Sequence, residues 1–199
     1  DTGAAVPETV PMDRGQAEHL VPLIAQTMAR AGRAYADLDL IVVTVGPGSF
    51  TGVRVGIATA RGLALALDLP VQGVCTLDAL AATWAARGGM GAVAALIDSR
   101  REDIFGALYH DPSHIPMVPD RMVILTPDQA RAAFADVPCV GDGVALMGGA
   151  AVNEIILPDP AEFARLGARL YETGPVAMRG VASPLYLREA DVTIPKKVV

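Results

Sequence analysis

Cysteine, positive charge and long apolar runs are all scarce in this chain, and each scarcity closes off a class of protein. The two cysteines, Cys75 and Cys139, lie far apart, each inside an apolar strand-like run. They read as buried free thiols rather than a disulfide, and no zinc motif can be built from them. With 16 Lys and Arg against 22 Asp and Glu, the formal net charge is −6. That balance argues against a chain that wraps nucleic acid by itself, since phosphate contacts need clustered Lys and Arg. Any RNA contact is expected through a partner. No stretch approaches the ~18 uninterrupted apolar residues of a membrane helix, and the first residues lack the basic, apolar and small-residue succession of a signal peptide. A soluble, cytoplasmic protein with no membrane attachment is expected. What is abundant is core material: 52% of the 199 residues are hydrophobic, enough for one large domain or two small ones.

Periodicity divides the chain into alternating elements. An amphipathic helix over 17–31 places Leu20, Leu23, Ile24, Thr27 and Ala31 at three- and four-residue steps and stops at Gly32. Pro22 suits only a first turn, which moves the expected start of the regular helix towards His19. A β-branched run predicts a strand over 40–45, followed by a glycine-rich turn and a helix over 50–67. Pro70 then leads into a strand over 71–75, and a helix over 77–87 ends at Gly88-Gly89. Segments 92–97 and 103–109 predict a hairpin with a five-residue connection, Asp98 to Glu102, so an antiparallel pair enters the sheet. His110 to Asp120 holds three prolines and reads as an exposed loop. Beyond it come a strand over 122–125, a Thr126-capped helix over 127–135, and a strand over 137–140 ending at Gly141-Asp142-Gly143. Asp159 and Pro160 open a last helix through Glu172, closed by Gly174-Pro175, and the tail from Ser183 is extended. The class is α/β with mixed sheets in two lobes, 1–98 carrying the glycine turn and 99–199 following.

The run Val45 to Gly56 joins a buried strand to a helix through glycines and a proline. Gly46, Gly48, Ser49, Thr51 and Gly52 form a candidate nucleotide or phosphate turn, because glycines permit close approach and a helix N-terminus offers unpaired N–H groups to an anion. The Gly-Lys-Ser/Thr ending of a Walker loop is absent, and Arg54 is the nearest cation. Nor is the turn a Gly-x-Ser-x-Gly elbow, and no histidine near in sequence offers a base, so Ser49 and Thr51 read as helix caps. The helix that follows is apolar nearly all round, with Arg54, Thr59 and Arg61 as a narrow polar strip. Such a helix needs cover on more than one side. Gly56 and Gly62 each cost about 1 kcal/mol relative to alanine, which close approach of a second helix would offset. That helix is 17–31 of this chain or of a partner; a central core helix in a monomer fits the pattern equally.

Other candidate chemistry is thin. His110 and His114 have the spacing of a helical metal pair, but Pro112 and Pro116 make a loop the better reading. His19 reads as surface or interface. Asp98 and Asp142 end strands beside turns, where carboxylates hold either a hydrated magnesium ion or the turn itself.

Five segments occur in a telling order: VGPGSFTGVRVGIATARGLALAL (45–67), GVCTLDALA (73–81), ALIDSRREDIFGALY (95–109), GDG (141–143) and PLYLREAD (184–191). Over roughly Gln16 to Asp191 the chain resembles the TsaB (YeaZ) family of bacterial tRNA threonylcarbamoyladenosine biosynthesis proteins, within the wider TsaD/glycoprotease-like family. The resemblance implies an actin, sugar-kinase and Hsp70-like (ASKHA) fold of two α/β lobes. It implies a non-catalytic scaffold or activating subunit that dimerises with TsaD, the transferase that places a threonylcarbamoyl group on the adenosine next to the anticodon of tRNAs reading ANN codons. It further implies TsaE, an ATPase, in the assembled complex, a homodimer when alone, and contact with tRNA only through the complex. No cofactor is required, with ATP or ADP and magnesium expected at the complex interface. The catalytic relative carries a metal-binding His-x-x-x-His where this chain has Thr76 and Leu80, so neither a metal site nor a catalytic residue is expected. The implied partner interface is Leu20, Leu23, Ile24, Thr27, Val53, Ile57, Ala60 and Ala64. Family members begin with a strand ending in Asp-Thr and then a hairpin, whereas Asp1-Thr2 is followed only by Gly3 to Arg14. The absence of an initiating Met favours residues ahead of Asp1 over a shortened lobe. Two other functions stay open: an ATP-binding or metallopeptidase-like (glycoprotease) enzyme, and a structural homodimer.

Overall fold

Gly15 and Gly32, at φ 84° and 63°, bracket the first helix, α1 (Gln16–Ala31), in a computed structural model that describes residues 4–12, 14–113, 122–173 and 182–187. The Gly15 carbonyl accepts from the amides of Glu18 and His19, and the amides of Gly32 and Arg33 close the far end on Ala29 and Met28. The helix therefore starts at Gln16, ahead of the expected His19, and Pro22 sits inside it. Only the bond that a residue-22 amide would give is lost there, while the turn before it is held by Gly15.

β1 (Ile41–Gly46) and β2 (Val71–Cys75) pair in parallel, Val43 opposite Gly73, with α2 (Phe50–Leu67) as the crossover. Alternation along β1 sends its residues to two helices. Val43 joins Ile57, Ala60 and Ala64 of α2, together with Val71, in one cluster. Val42 points the other way, to α5 (Pro160–Thr173), where a Cβ added to Gly167 would meet Val42 Cγ1 at 2.3 Å. The α5 N-terminus is built as its sequence predicts: Asp159 Oδ1 accepts from the Ala161 and Glu162 amides at 2.9 and 3.2 Å, ahead of Pro160. By length and composition α2 is the described helix that could cross a bilayer; here its inner line covers the two-stranded sheet.

α3 (Thr76–Ala86) is buried on almost every side, with Leu77, Ala79, Leu80, Ala81, Ala82, Thr83 and Trp84 inside. It packs on α5 and on the second sheet, whose strand order is β5 (Val123–Leu125), β4 (Ile104–Tyr109), β3 (Val93–Asp98), β6 (Cys139–Val140). β3 pairs antiparallel with β4, β4 antiparallel with β5, and β3 parallel with β6, which is the expected hairpin within a mixed sheet. Val93, Ala95 and Ile97 face the α3 cluster, while Ala94 and Leu96 face a second cluster with Ala130 of α4 (Pro127–Ala133), Phe134 and Val144. Cover on both faces explains the unbroken apolar run. α4 carries the expected cap, Thr126 and Gln129 exchanging side-chain and backbone bonds. β6 is shorter than the expected 137–140, because the Val137 amide turns back to the Phe134 carbonyl. Sheet membership changes between β2 and β3, and residue 98 lies at the end of β3, within the hairpin. His114, Pro116, Gly174, Pro175 and the tail beyond Leu187 lie outside the described residues.

The Gly141-Asp142-Gly143 turn shows why its glycines are needed. Gly141 has φ 102°, and a Cβ there would lie 2.0 Å from the Leu96 carbonyl oxygen; one on Gly143 would lie 2.9 Å from the Ile97 nitrogen. Gly148 also has positive φ, 76°, but open space around it. Gly141→Ala is expected to cost about 3 kcal/mol or more through strain plus overpacking, and Gly148→Ala about 1 kcal/mol through backbone strain alone. Urea denaturation of the two variants checks this, and equal losses would contradict it.

Candidate functional site

The glycine turn and the segment 182–187 meet over the end of β1. Leu185 donates its amide to the Val45 carbonyl at 2.7 Å, and a Cβ on Gly46, at φ 105°, would sit 3.0 Å from the Leu185 oxygen. Arg61 Nη2 holds the start of that segment through the Ala182 carbonyl at 2.6 Å. Ser49 is the expected cap, its Oγ accepting from the Gly52 amide at 3.3 Å. Gly46 therefore makes room for the chain's own backbone, and Ser49 with Gly52 closes the helix end. Gly48, Ser49 and Thr51 do line a cleft of about 740 Å³, with Pro47, Phe50, Val53 and Arg54 on the same wall. Ser99, Arg100, Arg101, Phe105 and residues 185–187 complete it.

At the centre of this cleft is a cluster that sequence reasoning missed. The Arg54 guanidinium lies 3.6 Å from the Phe50 ring centroid and 5.7 Å from that of Tyr186. Arg54 Nε also donates to Tyr186 Oη at 2.9 Å, and the two rings are 5.8 Å apart. The four-residue spacing of Phe50 and Arg54 on a helix was a usable signal. Tyr186, 132 residues from Arg54, offered none.

The opposite wall is held by carboxylates. Asp98 Oδ1 accepts from the Arg100 amide at 2.6 Å, and Asp142 Oδ1 from the Asp98 amide at 2.9 Å. The Arg100 guanidinium reaches Asp98 and Asp142 at 3.3 and 3.2 Å. Burial raises the Asp142 carboxyl, opposed by the Asp98 amide and Arg100. These bonds tie the hairpin loop to the Gly141-Asp142-Gly143 turn. Among the described residues no group of three His, Cys, Asp or Glu is arranged to hold a metal ion. His110 is exposed, and His19 Nδ1 donates to the Gly15 carbonyl at 2.9 Å on the surface.

Thr76 and Leu80, where the resemblance places the relative's histidines, are built into α3. Thr76 is its first residue and half-buried; Leu80 is 1% exposed and underlies Gly141. Beside them Asp78 accepts from Tyr109 Oη at 2.6 Å. Burial pushes the Asp78 carboxyl up to about 6 from 3.8, despite bonds from Tyr109 and Cys75. Burial, then the Asp78 charge, pushes the Cys75 thiol up to about 12, and the Tyr109 phenol also rises, by burial first. Such a thiol is inert. Both cysteines are free, but Cys139 is half-buried rather than buried, because its strand lies at the sheet edge.

Asp78 binds its proton more tightly folded than unfolded. Stability is therefore highest below the unfolded value of 3.8 and declines as pH rises through the folded value of about 6. The change is on the order of 2–3 kcal/mol. Asp78→Asn keeps an acceptor for Tyr109 and removes the titration. The difference in stability between wild type and variant should shift towards the variant between pH 4 and 7 in urea denaturation; superimposable pH profiles would contradict the assignment.

The residues expected to meet a partner divide by face. Leu20, Leu23, Ile24 and Thr27 are half-buried on α1, and α1 touches α2 of the same chain. Val53 is half-buried beside Val43, and Ile57, Ala60 and Ala64, at 4, 5 and 7% exposure, lie within the chain's own core. The outer line of α2 is open: Ala58, Gly62, Leu65 and Ala66 are exposed, Leu65 to 86%. Gly56 faces β1, where a Cβ would be in ordinary contact, 3.6 Å from Val43 Cγ2. Gly62 has nothing within 4 Å.

Known proteins resemble this one over the same elements. The family model for tRNA N6-adenosine threonylcarbamoyltransferase, TsaD, matches residues 2–114. An uncharacterized protein of Mycobacterium tuberculosis is 42% identical over 107 residues, 52% of this chain and 47% of that protein. The tRNA threonylcarbamoyladenosine biosynthesis protein TsaB of Escherichia coli is 29% identical over 88% of this chain and 81% of its own. The solved structure of YeaZ from Pseudomonas aeruginosa superposes with a TM-score of 0.70 at 28% identity, covering 86% of this chain and 85% of that one. The match spans about half the length of the Mycobacterium bovis and Mycobacterium tuberculosis relatives. The motif resemblance to TsaB/YeaZ and the expected ASKHA-type α/β fold are both borne out. The chain belongs to the tRNA N6-adenosine threonylcarbamoyltransferase (TsaD) family, and within it is similar to TsaB/YeaZ.

Proposed function

We propose that this chain is a non-catalytic subunit in tRNA threonylcarbamoyladenosine biosynthesis, acting in the cytoplasm as the binding partner of a TsaD-type transferase. One observation carries the reading: α2 is an 18-residue apolar helix of which only Ile57, Ala60 and Ala64 are buried. Its outer line, Ala58, Gly62, Leu65 and Ala66, is small except for Leu65, so a facing helix can come close. The name of the E. coli relative supports the pathway, and the core position of Leu80 suits a scaffold rather than a metalloenzyme. In this reading the docking surface is the outer face of α2 with the adjoining α1, and the inward Ile57, Ala60 and Ala64 set the position of α2 from behind. A homodimer of the isolated chain uses the same face, an ATPase subunit joins the assembled pair, and tRNA is reached through the complex.

Leu65→Arg tests the surface, because a residue 86% exposed can be changed for about 0.5 kcal/mol or less in stability. Burying an unpaired guanidinium against a partner should weaken capture of the co-expressed transferase by at least about tenfold, with thermal unfolding of the chain unchanged. Undiminished capture would remove α2 from the interface.

A further inference from the structure

We propose that α1 is an opening helix: it leaves and rejoins the body of the chain as a unit, and the partner binds it closed, so that closure of α1 is part of binding. The observation is a helix of 16 residues in which none is buried. α3, with 11 residues, buries seven of them. Both helices carry apolar residues, so the difference lies in what each packs against. α3 is enclosed by α5, β3 and the neighbouring strands, whereas α1 packs chiefly on α2. Its apolar line, Leu20, Leu23, Ile24 and Thr27, stays half-buried there, and Val21 beside it is 50% exposed. The free energy of a local opening follows the apolar contacts that are lost, so a helix seated in this way belongs to the least stable part of the fold.

Polar contacts do not supply what burial lacks. Gln16 and His19 bond to the Met12 and Gly15 carbonyls at 3.1 and 2.9 Å, and Thr27 to the Leu23 carbonyl at 2.8 Å, each four residues back. Bonds this local travel with the helix and do not hold it to α2. The ion pair of Arg30 with Glu8 lies at the surface, its side chains 50 and 27% exposed, where such a pair contributes little. Both ends of the helix are built to turn. Gly15 and Gly32 have φ of 84° and 63°, and a Cβ on Gly32 would meet open space, so the glycine there serves backbone rotation and not close approach. Once off α2, a helix of this length with Pro22 inside it does not stay folded alone, so opening exposes its amides. A partner covering the outer face of α2 and the adjoining α1 restores that order. This second step rests on the partner reading, and the first does not.

The test is amide hydrogen exchange of the full chain, followed by mass spectrometry, alone and in the pair with the transferase. Alone, residues 16–31 are expected to exchange at least about 100-fold faster than residues 76–86. Ala25→Gly, at an exposed position of α1, should speed exchange over 16–31 about fivefold and leave 76–86 unchanged, because glycine weakens this helix and nothing else. In the pair, exchange over 16–31 should slow by at least about tenfold. Equal exchange of the two helices in the free chain, or acceleration of both alike by Ala25→Gly, would overturn opening as a unit. A captured pair in which 16–31 exchanges as in the free chain would overturn the coupling. Failure of the wild-type chain to capture the transferase would overturn the partner reading and the coupling with it, while the free-chain comparison still decides the opening.

Discussion

The seating of α2 on β1 is the constraint from which the functional surfaces follow. Val43 of β1 packs with Ile57, Ala60 and Ala64, and these three fix the rotation of the helix. Once that rotation is set, the α-helical period dictates the remainder: Ala58, Gly62 and Leu65 turn outward, and Arg54, one turn from the helix start, stands over the cleft. Burial of side chains this small contributes modestly per residue, so the helix depends on packing density rather than on apolar area. A single bulky residue on the inner line would rotate or lift the helix and disturb both surfaces together.

The sequence announced the elements more clearly than the site. Continuous apolar runs and the Thr126 and Asp159 caps marked β3, α4 and α5 because those signals are local. Pro22 misled, since a proline inside a helix removes one bond, and the signal cannot tell whether neighbouring bonds compensate. The glycines of the Val45 to Gly56 turn suggested a ligand cradle, yet Gly46 accommodates the backbone of Leu185. Sequence shows that a close approach exists but not what approaches. The Arg54, Phe50 and Tyr186 cluster joins elements distant in the chain, and only the tertiary path of residues 182–187 creates it.

Polar groups in the interior act mainly as structure. Asp98 and Asp142 bind the hairpin loop to the Gly141-Gly143 turn, and Asp78, Cys75 and Tyr109 form a buried set whose shifts all favour the neutral forms. Their hydrogen bonds satisfy one another, which limits the cost of burying them. With Leu80 sealed beneath Gly141, the first turns of α3 are core rather than an open site.

What covers the outer line of α2 decides how this chain meets its partner. A photoreactive amino acid at Leu65 of α2, compared with one at Ile124 on the exposed side of β5, reads this directly in the reconstituted pair with the transferase. Crosslinking from position 65 and not from position 124 is the predicted result; crosslinking from 124 with none from 65 would contradict it.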